Sequence, residues 1–145
     1  MRNKVFLLLD EKFGKDTLIA LATCNENEPT VRIVNSYYEN GCFYTVTHNL
    51  TKKMKQVKNN PVVSVCSEQW FTAQGTAENL GYVYEHKNEI LMRKLRKVFA
   101  EWYYNGHTNE SDPNTCILCI HLTKGVLYHK GEKFEIDFNA IKSNG

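Results

Sequence analysis

The chain has 145 residues, enough for one domain spanning 1–145 with a hydrophobic core of its own. Its formal charge of +2 is too small to announce a nucleic-acid partner, and no apolar run is long enough to cross a membrane as a helix. Phe6 to Leu9 is too short for a secretory signal core and Asp10 and Glu11 follow at once, so a cytoplasmic protein with no membrane partner is expected.

In chain order, Lys4 to Phe13 reads as a helix with Val5, Leu8 and Leu9 on one side and Gly14 as its stop. Leu18 to Cys24 is an apolar strand, Asn25-Glu26-Asn27-Glu28 a turn, and Thr30 to Tyr38 the next strand, entered through Pro29. Asn40-Gly41 is the strongest hairpin signal in the chain, because both residues tolerate the positive φ of a tight turn; Cys42 to Thr47 is the strand after it. A basic helix follows from about Thr51 to Lys58 and stops at Asn59-Asn60-Pro61. Val62 to Ser67 and Phe71 to Glu78 are two more strands, and Gly75 inside the second marks a bulge or a close backbone approach. Leu91, Leu95, Val98 and Trp102 recur at helical spacing, which predicts a long helix from Tyr82 to Tyr104 capped by Asn105-Gly106. A polar loop, His107 to Asn114, leads to a strand in Thr115 to Tyr128 and a last one in Lys133 to Phe138. Hairpin-like links make the sheet mainly antiparallel, an α+β arrangement of six to seven strands with flanking helices. A small closed or partly closed barrel is the natural way for such a sheet to lose its edges.

The five cysteines leave one over in any complete disulfide pairing. Cys24, Cys66, Cys116 and Cys119 stand in apolar strand text, so reduced core thiols are expected. Cys116 and Cys119 have C-x-x-C spacing, but residues three apart on a strand face opposite ways, and no second ligand pair completes a zinc set; no metal site is expected. None of the five histidines has a Ser or Cys partner at a recognisable spacing, so no catalytic residue is assigned.

The segment from Thr47 to Pro61 carries most of the functional information. It reads as a strand end, a turn holding His48, and a helix whose first residues are Thr51, Lys52 and Lys53. A helix start presents unpaired N–H groups and the positive end of the macrodipole. With two ammonium groups and a hydroxyl added it suits a phosphate; alternatively it is a solvated basic helix.

Several segments in series resemble the pyridoxamine 5′-phosphate oxidase-like proteins, the FMN-binding split β-barrels. They are Val31-Arg32-Ile33-Val34-Asn35, Phe43-Tyr44-Thr45-Val46-Thr47, Thr51-Lys52-Lys53, the run from Gln56 to Ser64, and Gln74-Gly75-Thr76-Ala77-Glu78. The similarity covers roughly Leu18 to Leu80. It implies a homodimer with FMN at the subunit interface. It implies phosphate contacts from Arg32, Lys52 and Lys53, a hydroxyl from Thr51, Val34 and Asn35 beside the flavin ring, and Val46 and Thr47 against the ring or ribityl chain. Trp70 stands where the oxidase has a flavin-contacting glutamine, and would either stack on the ring or pack the barrel. The C-terminal segment rich in Arg and Trp that binds pyridoxal phosphate in the oxidase is missing after Phe138, so oxidation of pyridoxamine phosphate is not expected. The resemblance implies an oxidoreductase acting on a small molecule, with NAD(P)H as electron donor. The alternative is a flavin- or haem-binding carrier or sensor without turnover, and a deazaflavin is a further option for the cofactor. Trp102, Tyr103 and Tyr104 would wall a substrate pocket or pack in the core.

Overall fold

The structure is a computed structural model that describes residues 3–106 and 108–140. Seven antiparallel strands form one sheet in the order β3-β2-β1-β4-β5-β6-β7, and a second pairing, β3 with β6, closes six of them into a barrel. The strands are β1 (Thr17–Asn25), β2 (Glu28–Glu39), β3 (Cys42–His48), β4 (Val62–Ser67), β5 (Phe71–Tyr82), β6 (Thr115–His129) and β7 (Glu132–Asp137). The antiparallel barrel read from the sequence is thus present, with β7 added outside the ring along β6.

Period-two patterning decides which way each strand faces. Ile19, Leu21 and Thr23 of β1 are buried, with less buried residues between them. The hairpins turn where expected. Glu26 and Asn27 join β1 to β2, and Asn40 and Gly41 join β2 to β3, all four at positive φ, as two-residue turns between right-twisted strands require. Gly75 sits at a register shift between β5 and β6, and a Cβ there would run into the His121 carbonyl. The bulge and the close approach are both real.

Helix α1 (Lys4–Phe13) is started by the Asn3 side chain, which accepts the Val5 N–H at 3.1 Å. It drives Val5, Leu9 and Phe13 into the barrel core, where Phe13 meets Phe43 and Phe71 at ring separations of 5.7 and 5.1 Å. Each such side chain contributes about 1.5–3 kcal/mol by leaving water. Helix α2 (Lys52–Asn59) adds Met54 and Val57 to the same core.

A second apolar cluster covers the outer face of β3 and β6. Here the structure departs from the expected long helix. Tyr82 is still strand, paired with Cys116, and a 3-10 turn (His86–Asn88) precedes α3 (Glu89–Val98) and a short α4 (Ala100–Tyr103). The buried Asn88 amide donates to the carbonyls of Leu80 and Tyr82 at 3.1 and 2.9 Å, tying the helix start back to the strand end. Phe99 leaves helical geometry at φ −95°, ψ 13° and breaks the run. The buried stripe is Met92, Leu95, Phe99 and Tyr103; Leu91, Val98 and Trp102 lie beside it, half-buried.

Two features set up the site. β2 and β3 pair only through Tyr37–Glu39 and Cys42–Tyr44, so from Ser36 back to Glu28 the barrel is split between them. The outward faces of β1, β2 and β4 carry exposed Leu18, Val31, Ile33 and Val62, all more than half accessible. Among the described residues, nothing covers this apolar face.

Candidate functional site

The split exposes the ends of β2 and β3 beside the start of α2. Arg32 lies on β2 opposite Leu21 and points toward α2. Its guanidinium donates through Nη1 to the Leu21 carbonyl at 3.1 Å and to Thr23 Oγ1 at 2.8 Å, and through Nη2 to Gln56 Oε1 at 3.3 Å. Thr23 in turn donates to Gln56 Oε1 at 2.5 Å, and Gln56 Nε2 donates to Thr30 Oγ1 at 3.1 Å. Every acceptor in this network is neutral. The fork is held in place while its positive charge stays unneutralised, and partial burial pulls the guanidinium below its ordinary pKa.

Lys53 is the second charge. It is half-buried, and its ammonium is pulled down first by burial and then by repulsion from Arg32, with Cys116 acting the other way. Among the described residues no carboxylate pairs with it. Two cations that share a partly dehydrated pocket without an acid are costly in isolation, and an anion between them removes the cost. Lys52, one residue earlier, points to solvent and pairs with Glu28 at 3.1 Å, both side chains being well exposed. The sequence treats the two lysines alike; the helix separates them.

Thr51 occupies the N-cap position, but its hydroxyl donates to the His48 carbonyl at 2.9 Å and no side chain caps α2. Thr47 pairs with Cys116 on β6 and, with Val46, Thr51 and Asp112, lines a cavity of about 280 Å³ beside the helix start. His48 Nδ1 accepts the Leu50 N–H at 3.2 Å, so the ring proton sits on Nε2, which lies 2.8 Å from Asp112 Oδ2. The Asn114 backbone N–H, and then His48, hold the Asp112 carboxyl below the usual carboxylate range. His48 is therefore an anchor between the turn and the loop that includes residues 108–114.

The remaining expected contacts are placed less uniformly. Val34 packs against the barrel core, whereas Asn35 faces outward and donates to Asp16 Oδ1 at 3.1 Å. Asp16 also receives Trp102 Nε1 at 2.9 Å, and Trp102 stacks on Phe99, so the aromatic cluster at 102–104 is packed into the helical layer through Trp102 and Tyr103. Val46 is partly covered by that layer. Trp70 sits at the β4–β5 hairpin with φ 62° and 75% exposure, so it does not pack the barrel, and the register places it beyond the opposite end of β1 from Thr23. Within one chain the structure brings together Arg32, Lys53, Thr51 and Thr47, but not Trp70. Two residues that sequence reasoning passed over, Thr23 and Gln56, orient Arg32. Thr23 is a hydroxyl in an otherwise apolar run, and Gln56 a polar residue on the buried side of α2; both were visible signals.

Of the cysteines, Cys42, Cys116 and Cys119 are buried, Cys24 is intermediate and Cys66 is exposed; none is in a disulfide. Cys66 thus departs from the expected core position, because it points away from the barrel on β4.

The sequence profile of the pyridoxamine 5′-phosphate oxidase family matches residues 9–129. No curated protein sequence matches the chain. Among solved structures, general stress protein 26 from Bacillus anthracis superimposes with a TM-score of 0.63 at 22% identity, covering 88% of this chain and 98% of that one. An FAD-binding protein from Mesorhizobium loti gives 0.63 at 17% identity, over 82% and 90% of the two chains. A haem-binding protein from Mycobacterium smegmatis gives 0.69 at 13% identity, over 99% of this chain and 62% of that one. With the profile spanning most of its length and the split barrel common to these structures, the chain belongs to the pyridoxamine 5′-phosphate oxidase family.

Proposed function

We propose that this protein binds FMN, with the terminal phosphate held by Arg32 and Lys53 at the split between β2 and β3. The observation that carries this reading is that Lys53 is close enough to Arg32 to be pulled down by its charge, that Arg32 donates only to neutral acceptors, and that among the described residues no carboxylate pairs with either. A phosphate close to a dianion satisfies both, and the uncapped start of α2 adds N–H donors of the right polarity. Thr51 and Thr47 supply hydroxyls along the path from the phosphate toward Val46, and Asn35 and Val34 flank the other side of the split. Lys52 acts as an outer charge that raises the local potential.

The cavity beside Thr47 holds about 280 Å³, less than drug-sized ligands usually occupy, so one chain supplies only part of the enclosure. The second wall comes from a homodimer. The exposed Leu18, Val31, Ile33 and Val62 on β1, β2 and β4 form the self-complementary face, adjacent to the split. Trp70, exposed at its hairpin, belongs to the half of the enclosure that crosses the interface. Ile33→Glu is expected to shift the protein from dimer to monomer in analytical ultracentrifugation and to weaken flavin uptake with it; a dimer unchanged by that charge would remove the interface.

When bound, the flavin supplies the chemistry, taking and passing on a pair of electrons, while the protein fixes its position and limits water access. NAD(P)H is the electron donor and a small oxidised molecule the acceptor, in a reducing cytoplasm where five cysteines stay out of disulfides. Titrating the purified protein with FMN tests the reading. One equivalent bound per chain, bleaching by NAD(P)H under nitrogen and reoxidation by an added acceptor are the expected results. Uptake without bleaching makes the protein a carrier. A Soret band on adding haem, with no flavin uptake, assigns the cleft to haem. Failure of folded protein to take up FMN overturns the proposal.

A further inference from the structure

On the face of β6 opposite to Cys116, three strands bring together ligands that are far apart in the chain. Register pairs Cys42 of β3 with His121 of β6, Tyr44 with Cys119, and Glu78 of β5 with Cys119, so these side chains share one face. Cys42 Sγ lies 3.5 Å from His121 Nδ1, and Cys119 Sγ lies 3.5 Å from His121 Nε2. Glu78 Oε1 lies 2.8 Å from the same Nε2. One ligand atom from each of Cys42, Cys119 and His121 falls within 4.8 Å of the other two. Both thiols are buried and the imidazole reaches solvent, which leaves a way in.

We propose that Cys42, Cys119 and His121, completed by Glu78, form a binding site for one zinc ion. Two sulfurs, an imidazole nitrogen and a carboxylate oxygen are a tetrahedral zinc set, and zinc at ~2.3 Å from sulfur and ~2.0–2.1 Å from nitrogen places a sulfur about 3.5 Å from the bound nitrogen, as Cys119 Sγ is from Nε2; Cys42 Sγ, nearest to Nδ1, has to turn toward that ion. Hard cations prefer an all-oxygen set and are excluded by the two sulfurs. A disulfide fits less well. Cys42 and Cys119 are diagonal rather than directly opposite across β3 and β6, and diagonal neighbours sit at about 7–8 Å, beyond the ~4.4–6.8 Å Cα spacing of a disulfide. The two sulfurs themselves lie within 4.8 Å of each other, a separation that two metal–sulfur bonds of ~2.3 Å can bridge. The Tyr44 hydroxyl, hydrogen-bonded to Cys42, supplies an outer contact that steadies a thiolate.

Each thiol loses its proton to solvent as its zinc–sulfur bond forms, and no electron is transferred. The site lies across the sheet from the Arg32–Lys53 pair and stands independently of the flavin reading. The C-x-x-C spacing of Cys116 and Cys119 is a coincidence here, because Cys116 faces the core while the partners of Cys119 are Cys42, Glu78 and His121 on the opposite face.

Titrating the reduced, metal-free full chain with ZnCl₂ against a chromophoric chelator tests the site, with Co²⁺ as spectroscopic substitute. One ion per chain, release of two protons, and the thiolate-to-cobalt charge-transfer band of a tetrahedral centre are expected. Cys42→Ser and His121→Ala should each weaken zinc binding by about a hundredfold or more, and Glu78→Gln by about tenfold. Cys24→Ser and Cys66→Ser should leave it unchanged. Circular dichroism identifies any variant that fails to fold, and the half-exposed His121→Ala serves if Cys42→Ser does. The proposal is overturned if the wild-type chain takes up no zinc, if folded His121→Ala binds it as wild type does, or if Cys24 or Cys66 proves to be required.

Discussion

Two regions of this molecule hold half-buried cations and treat them in opposite ways. Under α3, Arg96 donates through Nε to Glu110 Oε2 at 2.9 Å, and the same oxygen takes the Tyr103 hydroxyl at 2.7 Å. Tyr84 reaches Oε1 at 3.2 Å and Tyr82 reaches the Glu110 carbonyl at 2.6 Å. Burial alone would lower the Arg96 pKa, but the Glu110 carboxylate outweighs it and the net shift is upward. At the barrel mouth Arg32 and Lys53 have no such carboxylate among the described residues, and both are shifted down. The first arrangement is complete in itself and holds the loop beyond α4 to the sheet. The second is incomplete and favours an incoming anion. Charge counting along the chain cannot tell them apart; the difference lies in what each cation faces.

The contrast predicts effects of opposite sign. Glu110→Ala should cause the largest loss, about 3 kcal/mol of stability read as a lower midpoint in urea, because it strands Arg96 and the Tyr103 hydroxyl. FMN affinity should change far less.

Lys53→Met should do the reverse. It removes one charge-assisted contact, weakening FMN binding by ~1.5–3 kcal/mol in a fluorescence titration, while the apo protein is as stable as before or more so. A simultaneous loss of apo stability would show that Lys53 has a structural partner and would break the comparison.

The same group sets a pH dependence. Its folded-state pKa lies below the ordinary 10.5, so the folded chain releases this proton first. Between the two values the unfolded state binds more protons, and stability of the apo protein rises with pH. The penalty is fully present below the folded value and gone above the ordinary one. Phosphate favours the charged amine, so FMN affinity falls as pH rises above the folded value. Lys53→Met should flatten both trends.

Lys52→Ala is the mildest test. An exposed pair such as Lys52–Glu28 is worth ~0–1 kcal/mol, so stability should hardly move and FMN affinity should drop only slightly, more at low salt than at high.

Much of the fold was legible because antiparallel strands write themselves into a sequence as alternation and turns. Asn40-Gly41 and the Asn25–Glu28 turn both fell where the chain reverses. The helix expected from Tyr82 to Tyr104 failed at its start because apolar spacing does not register that Tyr82 is paired with Cys116 and that Asn88 is bonded to strand carbonyls. At the site, the expected helix start with Thr51, Lys52 and Lys53 came from residue type and spacing, while Arg32 entered only through the family resemblance. The division of labour between Lys52 and Lys53 was not legible, because it depends on the rotation of one short helix against β1. Cys42, Glu78 and His121 could not be grouped from spacing, since closure of the barrel between β3 and β6 is what brings them together.

The short ladder between β2 and β3 has a dynamic corollary. From Glu28 to Ser36, β2 is laddered to β1 along one edge only, and among the described residues its other edge has no backbone partner. Alternate amides there should trade their hydrogens for deuterium quickly, while their neighbours, locked to β1, stay slow. A ligand lodged in the gap would slow the fast set alone, so a two-residue rhythm in exchange rates would record occupancy without any chromophore.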